Sequence, residues 1–132
     1  MLLKDGRLLV AGGLRTYSQD GFLYNETQTT AAVFDWQSEE WHRVSDMNVP
    51  RNTGTPVLLS DGGLLVAGGS VWDGYGTVPL GDPDVEIYDP RQNKWIARQS
   101  MLKKRSGAFG TVLPNGDVLV MAGSDYIGGY QW

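Results

Sequence analysis

Histidine, cysteine, carboxylate and arginine side chains bound what this chain can catalyse or bind, and they are sparse. A single histidine, His42, stands among 132 residues, and cysteine is absent. Cysteine nucleophiles, thiolate metal sites and disulfides are thereby excluded, and one imidazole cannot assemble the usual transition-metal sets. Acid–base or nucleophilic catalysis needs a positioned base beside a nucleophile. The carboxylates Asp20, Glu26, Asp73, Asp82 and Asp84 instead fall in two long polar segments, 14–30 and 70–84. Asp82 and Asp84, within "GDPD", read as turn residues before they read as calcium ligands. No catalytic residue, metal site or cofactor is expected.

What remains is binding chemistry. The two long segments carry Tyr17, Phe22, Tyr24, Trp72, Asp73 and Tyr75. This aromatic and acidic mixture suits a protein surface or a sugar. Arg51 and Arg105 are guanidinium forks able to take a carboxylate or another anion, or to serve structure. Lys103 and Lys104 extend the second arginine into a short basic run that reads as a solvated loop. Asn25-Glu26-Thr27 is an N-glycosylation triplet, relevant only in a secreted eukaryotic chain. A net charge of −4 argues against a nucleic-acid partner. No apolar run approaches the length of a membrane-spanning helix.

The elements that must position these residues are legible as a repeat. "DGRLLVAGG" at 5–13 returns as "DGGLLVAGG" at 61–69 and, blurred, as "NGDVLVMAGS" at 115–124. Trp41 and Trp95 extend the register. Seven residues before each lies an aromatic (Phe34, Tyr88), followed by an aspartate (Asp35, Asp89). Six after comes Met47 or Met101, ten after Arg51 or Arg105, and twenty after Asp61 or Asn115, each preceding a glycine. A period of this length marks one supersecondary unit stacked on copies of itself.

Each unit reads as four strands, here lettered a to d. Apolar runs flanking Asp-Gly or Asn-Gly give the a–b hairpin, for which a type I′ turn at 5–6, 61–62 and 115–116 is expected. "AVFDWQSEEWHRV" and "VEIYDPRQNKWIA" give a c–d hairpin about an Asp-rich or Asp-Pro turn. The strands are placed at 1–4 (a stub of a), 7–12, 31–35, 40–44, 54–59, 64–68, 85–89, 94–98, 108–113 and 117–122. No segment holds a 3.6-residue period, so no helix is expected.

This pattern resembles the kelch repeat, a four-stranded blade of a β-propeller. Gly12-Gly13 and Gly68-Gly69 at the end of strand b carry the resemblance, with Phe34 and Tyr88 in strand c and Trp41 and Trp95 opening strand d. The third doublet is read as degraded to Gly123-Ser124. The implied fold is all-β, a partial propeller of antiparallel blades at about 1–46, 53–100 and 107–132, the first lacking most of strand a and the last holding a and b only. Strand counting favours a fragment of a longer propeller, whose open edges would meet further blades or self-associate.

The resemblance implies a non-catalytic interaction module that binds a protein partner through the long b–c and d–a loops, with carbohydrate as a lesser possibility. The face would hold Tyr17, Phe22, Tyr24, Arg51, Trp72, Asp73, Tyr75 and Arg105, while both tryptophans serve as inter-blade core. An alternative follows from "LPNGDVLV" and "DGRLLVAGG", which are similar to galactose oxidase-like and glyoxal oxidase-like propellers. Their copper site uses Tyr and His ligands with a Cys-modified Tyr, so its residues would have to lie outside this chain.

Overall fold

The computed structural model describes residues 1–80 and 84–125. Among them it is all-β. The strands are β1 (Leu8–Ala11), β2 (Leu14–Gln19), β3 (Phe22–Thr27), β4 (Ala31–Asp35), β5 (Glu40–Val44), β6 (Thr55–Leu58), β7 (Leu64–Ala67), β8 (Ser70–Trp72), β9 (Thr77–Pro79), β10 (Val85–Asp89), β11 (Lys94–Ala97), β12 (Phe109–Val112) and β13 (Val118–Met121). Three antiparallel sheets form the repeat. The central one has the order β11–β10–β7–β6, a full meander of d, c, b and a. The sheet before it is β1–β4–β5, with strand a reduced to a bridge between Leu2 and Leu8; the sheet after it is the pair β12–β13.

The a–b turns correct the expectation of type I′ geometry. In all three, the glycine alone is left-handed: φ is 86° at Gly6, 95° at Gly62 and 91° at Gly116. Gly6 N donates to Leu3 O at 3.1 Å and Leu3 N to Arg7 O at 2.8 Å, a pattern repeated at 59–63 and 113–117. This is a type I turn closed by a glycine bulge, a loop of three residues rather than two. Asp5, Asp61 and Asn115 cap their turns through Oδ1, accepting from the N–H two residues on. A true two-residue turn with both φ positive occurs elsewhere, at Asp20 (52°) and Gly21 (82°).

There the second correction lies. Segments 14–30 and 70–84, expected as long loops, are mostly hairpins: β2 pairs with β3, and β8 with β9. Each stands between strands b and c of its sheet. The signal was present, since Asp20-Gly21 and Asp73-Gly74 repeat the hairpin dipeptide inside both segments.

The core lies between the first two sheets, where Leu9, Val33 and Met47 meet Leu64, Val66, Tyr88 and Trp95. Trp95 is 4% exposed and its Nε1 donates to Ser45 O at 2.8 Å, across the sheet boundary. Asn93 locks the same seam: its Oδ1 accepts from Ser45 N at 2.9 Å and from Tyr88 OH at 3.1 Å. Phe34 and Trp41 copy the Tyr88–Trp95 geometry, with ring centroids 5.1 Å apart in both pairs. Yet Trp41 is 57% exposed, because no described sheet covers that side of β4 and β5.

The glycine doublet sets the stacking distance. A Cβ on Gly12 would sit 2.2 Å from Arg51 O, and one on Gly68 would sit 2.1 Å from Arg105 O. Gly13 N and Gly69 N donate to those same two carbonyls. A side chain there would push apart the loop that joins one sheet to the next. In register and in φ, the third doublet is Ala122-Gly123 (59° and 75°), one residue earlier than the Gly123-Ser124 expected.

Candidate binding face

The b–c hairpins and the d–a connections meet on one side of the sheets. Arg51 N donates to Gln28 O, and Asn52 and Ser70 bridge through both backbone bonds at 2.9 Å. The hairpins touch each other as well, with Trp72 N donating to Thr27 Oγ1 at 2.8 Å.

Alternation along a strand decides what each hairpin presents. In β2–β3 the cross-strand pairs are Arg15 with Glu26, Tyr17 with Tyr24, and Gln19 with Phe22, all on one side. Tyr17 and Tyr24 stack at 5.6 Å, and the Arg15 guanidinium lies 5.0 Å over the Tyr17 ring. Phe22, at the tip, is 68% exposed, and Leu23 on the other side is more so. In β8–β9, Trp72 is half-buried and Tyr75 at the turn is 98% exposed. The structure therefore puts Tyr17, Phe22 and Tyr24 on one side of β2–β3, with Trp72 at the end of β8 and Tyr75 in the turn of the adjoining β8–β9 hairpin.

Asp73, one of the expected binding residues, also has a local role in its hairpin. Its Oδ1 accepts from Tyr75 N and Gly76 N at 2.9 Å each, so it shapes the turn that lifts Tyr75. Those two N–H donors hold its carboxyl below the ordinary aspartate range.

Arg51 is a correction. It was expected among the partner-facing residues, and it is 2% exposed. Its Nη1 donates to Gly68 O at 2.8 Å and Asp84 O at 2.9 Å, while Nη2 meets Glu86 Oε1 at 2.7 Å. Those bonds tie the first d–a connection to the second sheet, so the fork is spent on structure. Arg105 repeats one of them, Nη1 to Ala122 O at 2.6 Å, and stays half-buried.

Two groups of residues carried no signal in the sequence reading. Glu86 is fully buried and also accepts from Asn48 N at 2.8 Å and from Asn48 Nδ2 at 2.6 Å. A lone glutamate in "VEIYD" looks like a solvent-facing strand position, so nothing marked it. Around the first d–a loop, Thr53 Oγ1 lies 3.0 Å from Ser70 Oγ and 2.8 Å from Ser106 Oγ, and Ser70 Oγ donates to Asn52 Oδ1. Thr53 has φ 50°, whereas its repeat counterpart with similar φ is Gly107 (62°). A β-branched residue in that region carries strain of about 1–3 kcal/mol.

His42 is on exposed β5, 3.8 Å from Glu40, away from this face. Asp82 lies outside the described residues. Among the described residues no cluster of three or more His, Asp or Glu side chains is placed to hold a metal ion.

No protein-family model matches the chain. Over 97 residues, 74% of its length, it is 30% identical to Kelch repeat and BTB domain-containing protein 8 of Xenopus tropicalis. Over 88 residues, 66% of its length, it is 28% identical to an F-box/kelch-repeat protein of Arabidopsis thaliana. The matched spans are 16% and 24% of those relatives' own lengths. Among solved structures, a fungal alcohol oxidase of the AA5 family in complex with copper matches 87% of this chain and 24% of its own, with TM-score 0.66 and 15% identity. That likeness is one of fold.

Proposed function

This chain has the kelch-type repeat fold, and from that premise we propose that it is a non-catalytic interaction module whose b–c hairpins bind a protein partner. The observation that supports this reading most is the row of exposed aromatics on ordered, mutually touching hairpins. Phe22 and Tyr75 are exposed, Tyr17 and Tyr24 stack on each other, and the Trp72 backbone N–H ties one hairpin to the other. Rigid aromatic side chains of this kind supply contact area at small entropic cost and are enriched at binding hot spots. The paired strands also remove the objection that such long segments would be too mobile to preorganise a contact.

The oxidase alternative has only the shared fold behind it. The copper ligand set does not fit the residues at hand. His42 is paired loosely with Glu40 on exposed β5, Tyr17 and Tyr24 stack on each other, and the sequence holds no cysteine. No step through copper is derived.

The test replaces Phe22, Trp72 and Tyr75 by Ala in the intact protein and compares partner recovery with wild type. The control is Trp36→Ala, an exposed aromatic on a c–d turn, at the opposite end of the strands. Loss with the hairpin set and retention with the control is the expected result. Loss with the control alone overturns the assignment of the face.

A further inference from the structure

Asn115 is the one asparagine of this chain that a glycine follows. Its repeat counterparts are Asp5 and Asp61, and all three side chains accept through Oδ1 from the N–H two residues on. The amide differs from the carboxylates in its reactivity. Its carbon carries a better leaving group than an ionised carboxylate does, and the backbone nitrogen of Gly116 is one residue away. Glycine leaves that nitrogen unshielded, because it has no Cβ.

The surroundings permit the attack. Residues 114–117 are exposed. Gly116 N donates to Leu113 O at 2.9 Å and has to leave that bond first. β12 and β13 form a sheet of two strands, whereas the equivalent β7 is flanked by β6 and β10. An exposed turn on an isolated strand pair opens at low free-energy cost.

An aspartate formed here would not sit as Asp5 and Asp61 do. Two residues beyond Asp5 stands Arg7, whose guanidinium meets the carboxylate at 2.7 Å; beyond Asp61 stands Gly63. Beyond Asn115 stands Asp117, and Asn115 Nδ2 donates to its Oδ2 at 2.8 Å. Exchanging that NH2 for a charged oxygen turns a hydrogen bond into a contact between two carboxylates. Among the described residues no cation pairs with Asp117 to offset it.

We infer that Asn115 is a site of spontaneous covalent modification and that its conversion loosens the β12–β13 hairpin. Gly116 N gives its proton to solvent base and bonds to Asn115 Cγ. The bond from Cγ to the amide nitrogen breaks, and ammonia leaves with a proton from water. Water then opens the cyclic imide at either carbonyl, giving aspartate or isoaspartate. One water enters, one ammonia departs, and the chain gains one negative charge. Isoaspartate also adds a methylene to the backbone, which the three-residue loop has no place for. The change reaches the second sheet, because β12 lies so close on β6 that a Cβ on Gly110 would collide with Val57.

The experiment incubates the intact protein at mildly alkaline pH and maps it by proteolysis and mass spectrometry. Asn115 converts far faster than Asn25, Asn48, Asn52 and Asn93, which precede larger residues. Asn115→Asp, made directly, exchanges its β12–β13 amide hydrogens about tenfold faster than wild type, the effect of losing a hydrogen bond to a charged group. Exchange in β10–β11 stays at the wild-type rate. High salt narrows the difference by screening the two carboxylates, and Asp117→Asn in the same chain removes it. Conversion at Asn115 no faster than at the other asparagines overturns the site. Wild-type exchange in Asn115→Asp overturns its consequence. Neither measurement involves the b–c hairpins, so both stand apart from the partner-binding reading.

Discussion

Glu86 and Arg51 meet at 2.7 Å in the seam between the first two sheets, and neither side chain is reached by solvent. The arginine belongs to the loop leaving the first sheet, and the glutamate to strand β10 of the second. Breaking such a pair strands one charge in a dry interior and costs about 3–5 kcal/mol. Glu86→Ala and Arg51→Ala are each expected to lose that much in denaturant unfolding, and the double variant less than the sum. Additive losses would show that the two residues act separately.

The two tryptophans share one repeat position and are expected to respond differently. Trp95→Ala empties a filled seam and removes the bond to Ser45 O, at a cost of about 3–5 kcal/mol. In this chain alone Trp41→Ala costs under about 1 kcal/mol, as surface substitutions do. Equal losses by urea unfolding would mean that Trp41 is covered in solution.

Gly68→Ala and Gly21→Ala separate close approach from backbone preference. Both glycines are left-handed, but a Cβ on Gly21 meets nothing within 4 Å. Gly21→Ala is expected to cost about 1–2 kcal/mol, the conformational penalty alone. Gly68→Ala adds the clash with Arg105 O and exceeds that value, read as a larger drop in unfolding midpoint. The reverse order would sink the account of the doublet.

Asp73 gives the β8–β9 turn a pH dependence. Its carboxyl is held below the ordinary aspartate range by the N–H groups of Tyr75 and Gly76. A lowered folded value means the turn's stabilisation is complete above the unfolded aspartate pKa and disappears as pH falls through the lower, folded one. In NMR titration the Tyr75 and Gly76 amide shifts should move together with a midpoint below that of an unstructured aspartate. A midpoint at or above it would disprove the capping bonds.

How the strands succeed one another was written locally. Asp or Asn before Gly, apolar runs of strand length and a recurring aromatic–Trp pair are short-range signals, and β1, β4–β7 and β10–β13 fall within a residue or two of where those signals put them. The turn type escaped because an Asp-Gly pair suits both a two-residue turn and a three-residue loop with a glycine bulge; hydrogen bonding across the strand ends makes the choice. Burial could not be read from the repeat at all: Trp41 and Trp95 are chemically identical, and only the presence of a neighbouring sheet separates them. The same holds for Arg51, whose fate depends on Glu86, thirty-five residues away in an ordinary-looking strand. It holds for Thr53, whose hydroxyl partners exist only once the two d–a connections and β8 come together. Local chemistry determined the strands and their period, while long-range packing decided which repeated side chains became core, which became lock, and which were left exposed.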